Sequence, residues 1–87
     1  MFLVTSNKRR QLLCVGYIDE VLPEQLVRGR EDLLGLLAEL SPGFRLLVNL
    51  SQLKFMNEEC DAQIGEMMEH IKRSGVGMVV RVIPDEI

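Results

Sequence analysis

The sequence predicts an α/β domain of order β-β-α-β-α-β with a four-stranded mixed sheet, filled by residues 1–87 as one domain. Three observations carry that reading. Residues 2–5 and 11–18 are rich in β-branched, aromatic and aliphatic side chains and flank the polar stretch Ser6-Asn7-Lys8-Arg9-Arg10, which is a hairpin signal. Two later stretches repeat apolar residues at helical spacing. Each is followed by a short apolar run, FRLLVNL at 44–50 and VGMVVRVI at 76–83. Strands that alternate with helices in this way pair in parallel through right-handed crossovers.

Residues 19–22 form a connector after the hairpin, and Pro23, pre-set for a first helical turn, opens the first helix with Glu24 behind it. At about 100° per residue, Leu26, Leu33, Leu36, Leu37 and Leu40 share one apolar stripe, which stops at Ser41-Pro42-Gly43. The run 44–50 is almost continuously apolar, so the expectation is a strand buried on both faces. Residues 51–56 are read as a second connector. Asn57 then serves as an N-cap, with Glu58, Glu59 and Asp61 set against the helix dipole. The buried stripe of this second helix is Cys60, Ile64, Met67 and Ile71, flanked by Met68, and Gly75 closes it. Pro84 stops the last strand.

With 47% hydrophobic and 26% charged residues and a net charge of −3, the chain lacks the basic excess that nucleic acid or an anionic membrane requires. Lys8-Arg9-Arg10 reads as a solvated turn. Apolar stretches such as 12–18 are far shorter than a bilayer span, and the basic run follows the first apolar residues where a signal peptide would have it precede them. The expected location is the cytoplasm, with no membrane contact. Both cysteines, Cys14 and Cys60, fall at apolar positions of predicted elements and are expected to be reduced core thiols.

Catalytic equipment is sparse. Cys60 lies in the first turn of its helix among carboxylates that oppose a thiolate, and the single histidine, His70, is ten residues further on, about 15 Å at 1.5 Å per residue. Glu66 and His70 are four apart, yet one carboxylate and one imidazole do not complete a metal site. The glycines form no phosphate-binding loop. No enzyme activity, metal or other cofactor is expected.

Three segments, in order, resemble the STAS domain, the fold of bacterial anti-sigma-factor antagonists. Gly16-Tyr17-Ile18-Asp19 is similar to the family's G-x-L-D, residues 47–55 (LVNLSQLKF) to its v-x-D-L-S-x-v-x-F, and Asn57-Glu58-Glu59-Cys60 falls where the family has D-S-S-G. The resemblance implies a non-catalytic protein-interaction module that binds an anti-sigma factor, a kinase-like partner or another STAS protein. It places the partner surface at the N-terminal end of the second helix and the loops beside it: Asn57, Glu58, Glu59, Ala62 and Gly65, with Asp19 and Ser51.

Two departures qualify the resemblance. Glu58 stands where the family carries its phosphorylated serine, Glu59 replaces the second serine, and Asn49 and Asn57 replace aspartates. A carboxylate there is either a partial mimic of phosphoserine or simply a helix N-terminal charge. The family also continues beyond the fourth strand, so residues 76–83 are expected to be left uncovered and the chain to form a homodimer or higher oligomer. The alternative role is that of a structural, oligomerising subunit without a switch. The outer face of the second helix carries Ala62 and Gly65; a mid-helix glycine there is either unselected or admits a closely approaching surface.

Overall fold

The computed structural model describes residues 1–84. Its elements are β1 (Phe2–Asn7), β2 (Leu12–Val21), α1 (Pro23–Leu37), β3 (Arg45–Met56), α2 (Cys60–Arg73) and β4 (Met78–Val82). The order is the expected one. β1 pairs antiparallel with β2, β2 and β3 pair in parallel, as do β3 and β4, and the sheet runs β1-β2-β3-β4.

Local chemistry fixes the element ends. Leu22 is extended (φ −105°) before Pro23, and its N–H donates to Gln25 Oε1 at 3.0 Å, which occupies a backbone donor that the first turn of α1 would leave open. α2 ends on Ser74, and Gly75 follows in the left-handed region at φ +89°, the position that glycine fills at least cost. The basic run lies exposed in the β1–β2 turn, where the Arg10 N–H donates to Asn7 Oδ1 at 3.1 Å.

Both helices lie on one face of the sheet. Leu13, Val15 and Tyr17 of β2 and Leu46 and Val48 of β3 pack with Leu26, Leu33 and Leu37 of α1 and Cys60, Met67 and Ile71 of α2 in a single buried cluster. Handedness explains the arrangement: β2, β3 and β4 step in one direction across the sheet, so two right-handed crossovers deliver their helices to the same side.

That corrects two expectations. β3 is not buried on both faces: Leu46 and Val48 are buried, but Leu47 is half-buried and Asn49 exposed, because nothing in the described residues covers the second face. Cys14 points to that open face and is half-buried, so it is not a core thiol. Cys60 is fully buried, and both thiols are free. Residues 51–56, expected to be a connector, continue β3 to Met56, opposite Val21. Every residue of β4 is exposed.

Candidate partner-binding surface

The turn that joins β3 to α2 is built by Asn57. Its Oδ1 accepts the Glu59 N–H at 3.0 Å, its carbonyl accepts the Cys60 N–H at 2.9 Å, and the Glu58 carbonyl accepts the Asp61 N–H at 3.0 Å. An asparagine side chain that bonds the backbone two residues on is a self-made turn. The helix therefore begins at Cys60, and Glu58 lies in the turn before it, not in the first helical turn as the sequence had suggested. Glu58 and Glu59 are exposed, whereas Asn57 is half-buried.

Beyond the turn, Ala62 and Gly65 are exposed on the outer face of α2, and a Cβ added at Gly65 would meet nothing within 4 Å. Along this strip the helix presents its backbone to whatever approaches.

Asp19 lies in β2 and Ser51 in β3, beside two irregularities of their pairing. β3 carries extra residues relative to β2 between the pairs Gly16↔Asn49 and Ile18↔Gln52, and again between Asp19↔Leu53 and Glu20↔Phe55. Extra residues in one strand bulge it and re-aim its side chains. At the first bulge Asn49 Oδ1 accepts both the Ser51 N–H (3.0 Å) and the Ser51 hydroxyl (2.6 Å). At the second, Lys54 reaches Asp19 Oδ1 at 3.8 Å, an exposed pair worth at most about 1 kcal/mol. Asp19 itself adopts φ +54°, an uncommon conformation for a residue with a side chain. Among the described residues no hydrogen bond or ion pair joins this bulged strand end to Asn57, Glu58 or Glu59. The sequence reading missed Asn49 as the partner of Ser51 and Lys54 as the partner of Asp19, since a bulge leaves no periodic signature.

Inside the helix, burial pushes the Cys60 thiol up, the carboxylates of Asp61, Glu24 and Glu59 add to the rise, and the hydrogen bond to the Asn57 backbone opposes it. Its Sγ donates to the Val21 carbonyl at 3.6 Å. Glu66 is ion-paired with Arg30 of α1. Among the described residues no group of three His, Cys, Asp or Glu side chains could hold a metal ion, and no helix is long and apolar enough to cross a membrane.

The unphosphorylated form of the anti-sigma factor antagonist SpoIIAA superposes on this arrangement with a TM-score of 0.69, covering 99% of this chain and 76% of that one at 15% identity. The chain has the STAS fold. A crystal structure of Mglu is similar to the same extent, with a TM-score of 0.70 over 98% of this chain but only 20% of its own length, at 14% identity. No family model and no curated protein matches the sequence. At such identities the STAS likeness fixes the course of the backbone: it covers the hairpin, both crossovers and the turn at Asn57, and leaves open what reads that turn.

Proposed function

We propose that this chain is a non-catalytic, STAS-like interaction module of the cytoplasm, in which the Asn57-Glu58-Glu59 turn and the Ala62–Gly65 strip bind a protein partner. The observation that carries the reading is the turn itself. Asn57 holds the turn through its own side chain, and the Glu58 and Glu59 carboxylates are exposed beside a stretch of α2 that two small residues leave open. The partner is of the kind that an anti-sigma factor antagonist meets: an anti-sigma factor, its kinase, or a second STAS protein. Glu58, at the position of the family's phosphoserine, offers a permanent negative charge and so holds one state of a switch. Asp19 and Ser51 lie on the bulged strand end and contribute at its margin.

Affinity capture from the source cell with the wild type and Glu58→Lys tests this. A partner recovered by the wild type and lost on charge reversal is the expected result, and a partner retained equally by both removes Glu58 from the interface.

A second reading rests on β4. Among the described residues it is an edge strand, paired with β3 alone, and Val79 and Val80 are 40% and 47% exposed on its two faces. Arg81 is its single charge. Edge strands are ordinarily blunted by charge, proline or cover. A second copy pairing along β4 would make the chain an oligomerising subunit.

A further inference from the structure

α2 does not close against the sheet along its whole length. Between it and the strands lies a partly open cavity of about 170 Å³, lined by Leu46, Leu50, Ile64, Met67, Tyr17 and Arg81 together with further Val, Leu, Ile and Met side chains. Arg81 is the single charged residue on this lining. It stands opposite Val48 in the β3–β4 register, which puts it on the helix-bearing side of the sheet. The ion pairs among the described residues are Arg30–Glu66 and Lys54–Asp19, so the Arg81 guanidinium meets no carboxylate there. Tyr17, the other polar lining residue, has its phenol pushed up to about 12 by burial and by the nearby Cys60, so it stays neutral and adds no negative charge to the cavity.

Protein interiors seldom keep voids much larger than a water molecule, and an apolar cavity of roughly 150 Å³ is dry and accepts benzene. A guanidinium presents a planar fork of donors that matches a carboxylate. We propose that this cavity binds a small amphiphilic carboxylate, with an apolar body of about six carbons under α2 and its carboxylate on Arg81. A phospholipid acyl chain is too long for the space, so the ligand is a free acid and not a membrane. The site is independent of the partner surface, because the cavity is bounded by the inner side of α2 and Ala62 and Gly65 lie on the outer side.

Titrating the full chain with hexanoate, hexanol and acetate, followed by backbone amide shifts, tests the proposal. Hexanoate is expected to saturate in the millimolar range with shifts at Ile64, Met67 and Arg81, hexanol to bind about tenfold more weakly, and acetate not to bind. Arg81→Gln should bring hexanoate down to the level of hexanol and leave hexanol unchanged. Ile64→Phe, or Met68→Phe if the first does not fold, should fill the space and abolish both. Equal affinity for hexanoate and hexanol in the wild type, shifts confined to residues outside the cavity, or hexanoate binding that survives Arg81→Gln would each overturn it.

Discussion

The Asn57 side chain, not that of Glu58, closes the turn that leads into α2: its Oδ1 accepts the Glu59 N–H at 3.0 Å, and the N-cap position itself falls on Glu59, not on Asn57 as the residue type suggests. The two residues are neighbours in sequence but differ in what they do. Asn57→Ala removes the acceptor and is expected to lower stability by about 0.5 to 1.5 kcal/mol, the net worth of one hydrogen bond. Glu58→Ser leaves the turn intact and gives up at most a dipole term of about 0.3 to 1 kcal/mol, which is smaller still because the helix starts two residues later. Urea unfolding of both variants checks the order. The affinity of Glu58→Ser for a captured partner separates a charge that is read from one that only decorates the turn.

Stability should fall in alkali, and the sign follows from two buried acids. Tyr17 rises from its ordinary 10.0 to about 12, chiefly through burial and then through the Cys60 charge. Between those values the unfolded chain loses its phenolic proton while the folded one keeps it, so the Tyr17 contribution is full below pH 10 and declines as pH rises towards 12, by about 2 to 3 kcal/mol in all. Cys60, raised from an ordinary 9.0, starts the decline earlier. Denaturant midpoints measured across this range should slope downwards from about pH 9. Tyr17→Phe should flatten the upper part of the slope.

Thiol labelling should resolve the two cysteines. Cys14 is half-buried on the open face of the sheet, and Cys60 is buried with its Sγ bonded to the Val21 carbonyl. A thiol reagent at neutral pH is expected to modify Cys14 in the folded protein and Cys60 only after unfolding, because the reactive species is the thiolate and burial disfavours it. Mass spectrometry of the labelled peptides reads the outcome. Rapid labelling of Cys60 in the folded state would contradict its packing.

Much of this fold was legible because local signals agreed: the hairpin's polar stretch, Pro23 at the first helical position and Gly75 after the last all act where they stand in the sequence. The burial of 44–50 was misread for a reason that local pattern does not contain. Which face a helix covers depends on the direction in which successive strands are added, and two crossovers stepping the same way leave the second face of the sheet bare. Leu47 is apolar in sequence yet only half-buried, and Asn49 is the residue that marks the open side. The candidate site was half legible. Asn57 announces a turn by its residue type, although the N-cap falls two residues later, whereas the surroundings of Asp19 and Ser51 are set by bulges that arise from pairing between distant strands.

The β4 edge makes a direct expectation about assembly. Sedimentation of the wild type at tens of micromolar should show a dimer or larger species. Val80→Lys should shift it to monomer, because a lysine on an edge strand disfavours pairing with another chain. Val80 is 47% exposed, so the substitution should change the unfolding free energy by no more than about 0.5 kcal/mol. A wild type that sediments as a monomer removes the oligomerising role and leaves the turn at Asn57 as the candidate contact.

Two glycines should respond in opposite ways to the same change. At Gly77 an added Cβ would lie 2.9 Å from the Gly43 carbonyl oxygen and 3.1 Å from the Gly43 Cα, and the obstacle is backbone held by the Gly77 N–H donated to the Phe44 carbonyl at 2.8 Å. Neither segment can yield without loosening the start of β3 or β4, so Gly77→Ala is expected to cost about 1 to 3 kcal/mol, the range for overpacking. Gly65 lies mid-helix, exposed, with nothing within 4 Å of the built Cβ. There Gly65→Ala relieves the backbone entropy of glycine and should stabilise the chain by about 0.8 to 1 kcal/mol. Thermal midpoints of the two variants should therefore move apart. The proposed function adds a second readout at Gly65 alone: a partner that packs closely on α2 meets the new methyl group, so Gly65→Ala should melt higher and bind more weakly. A rise in the midpoint with unchanged affinity would show that the small-residue strip is not where the partner lies.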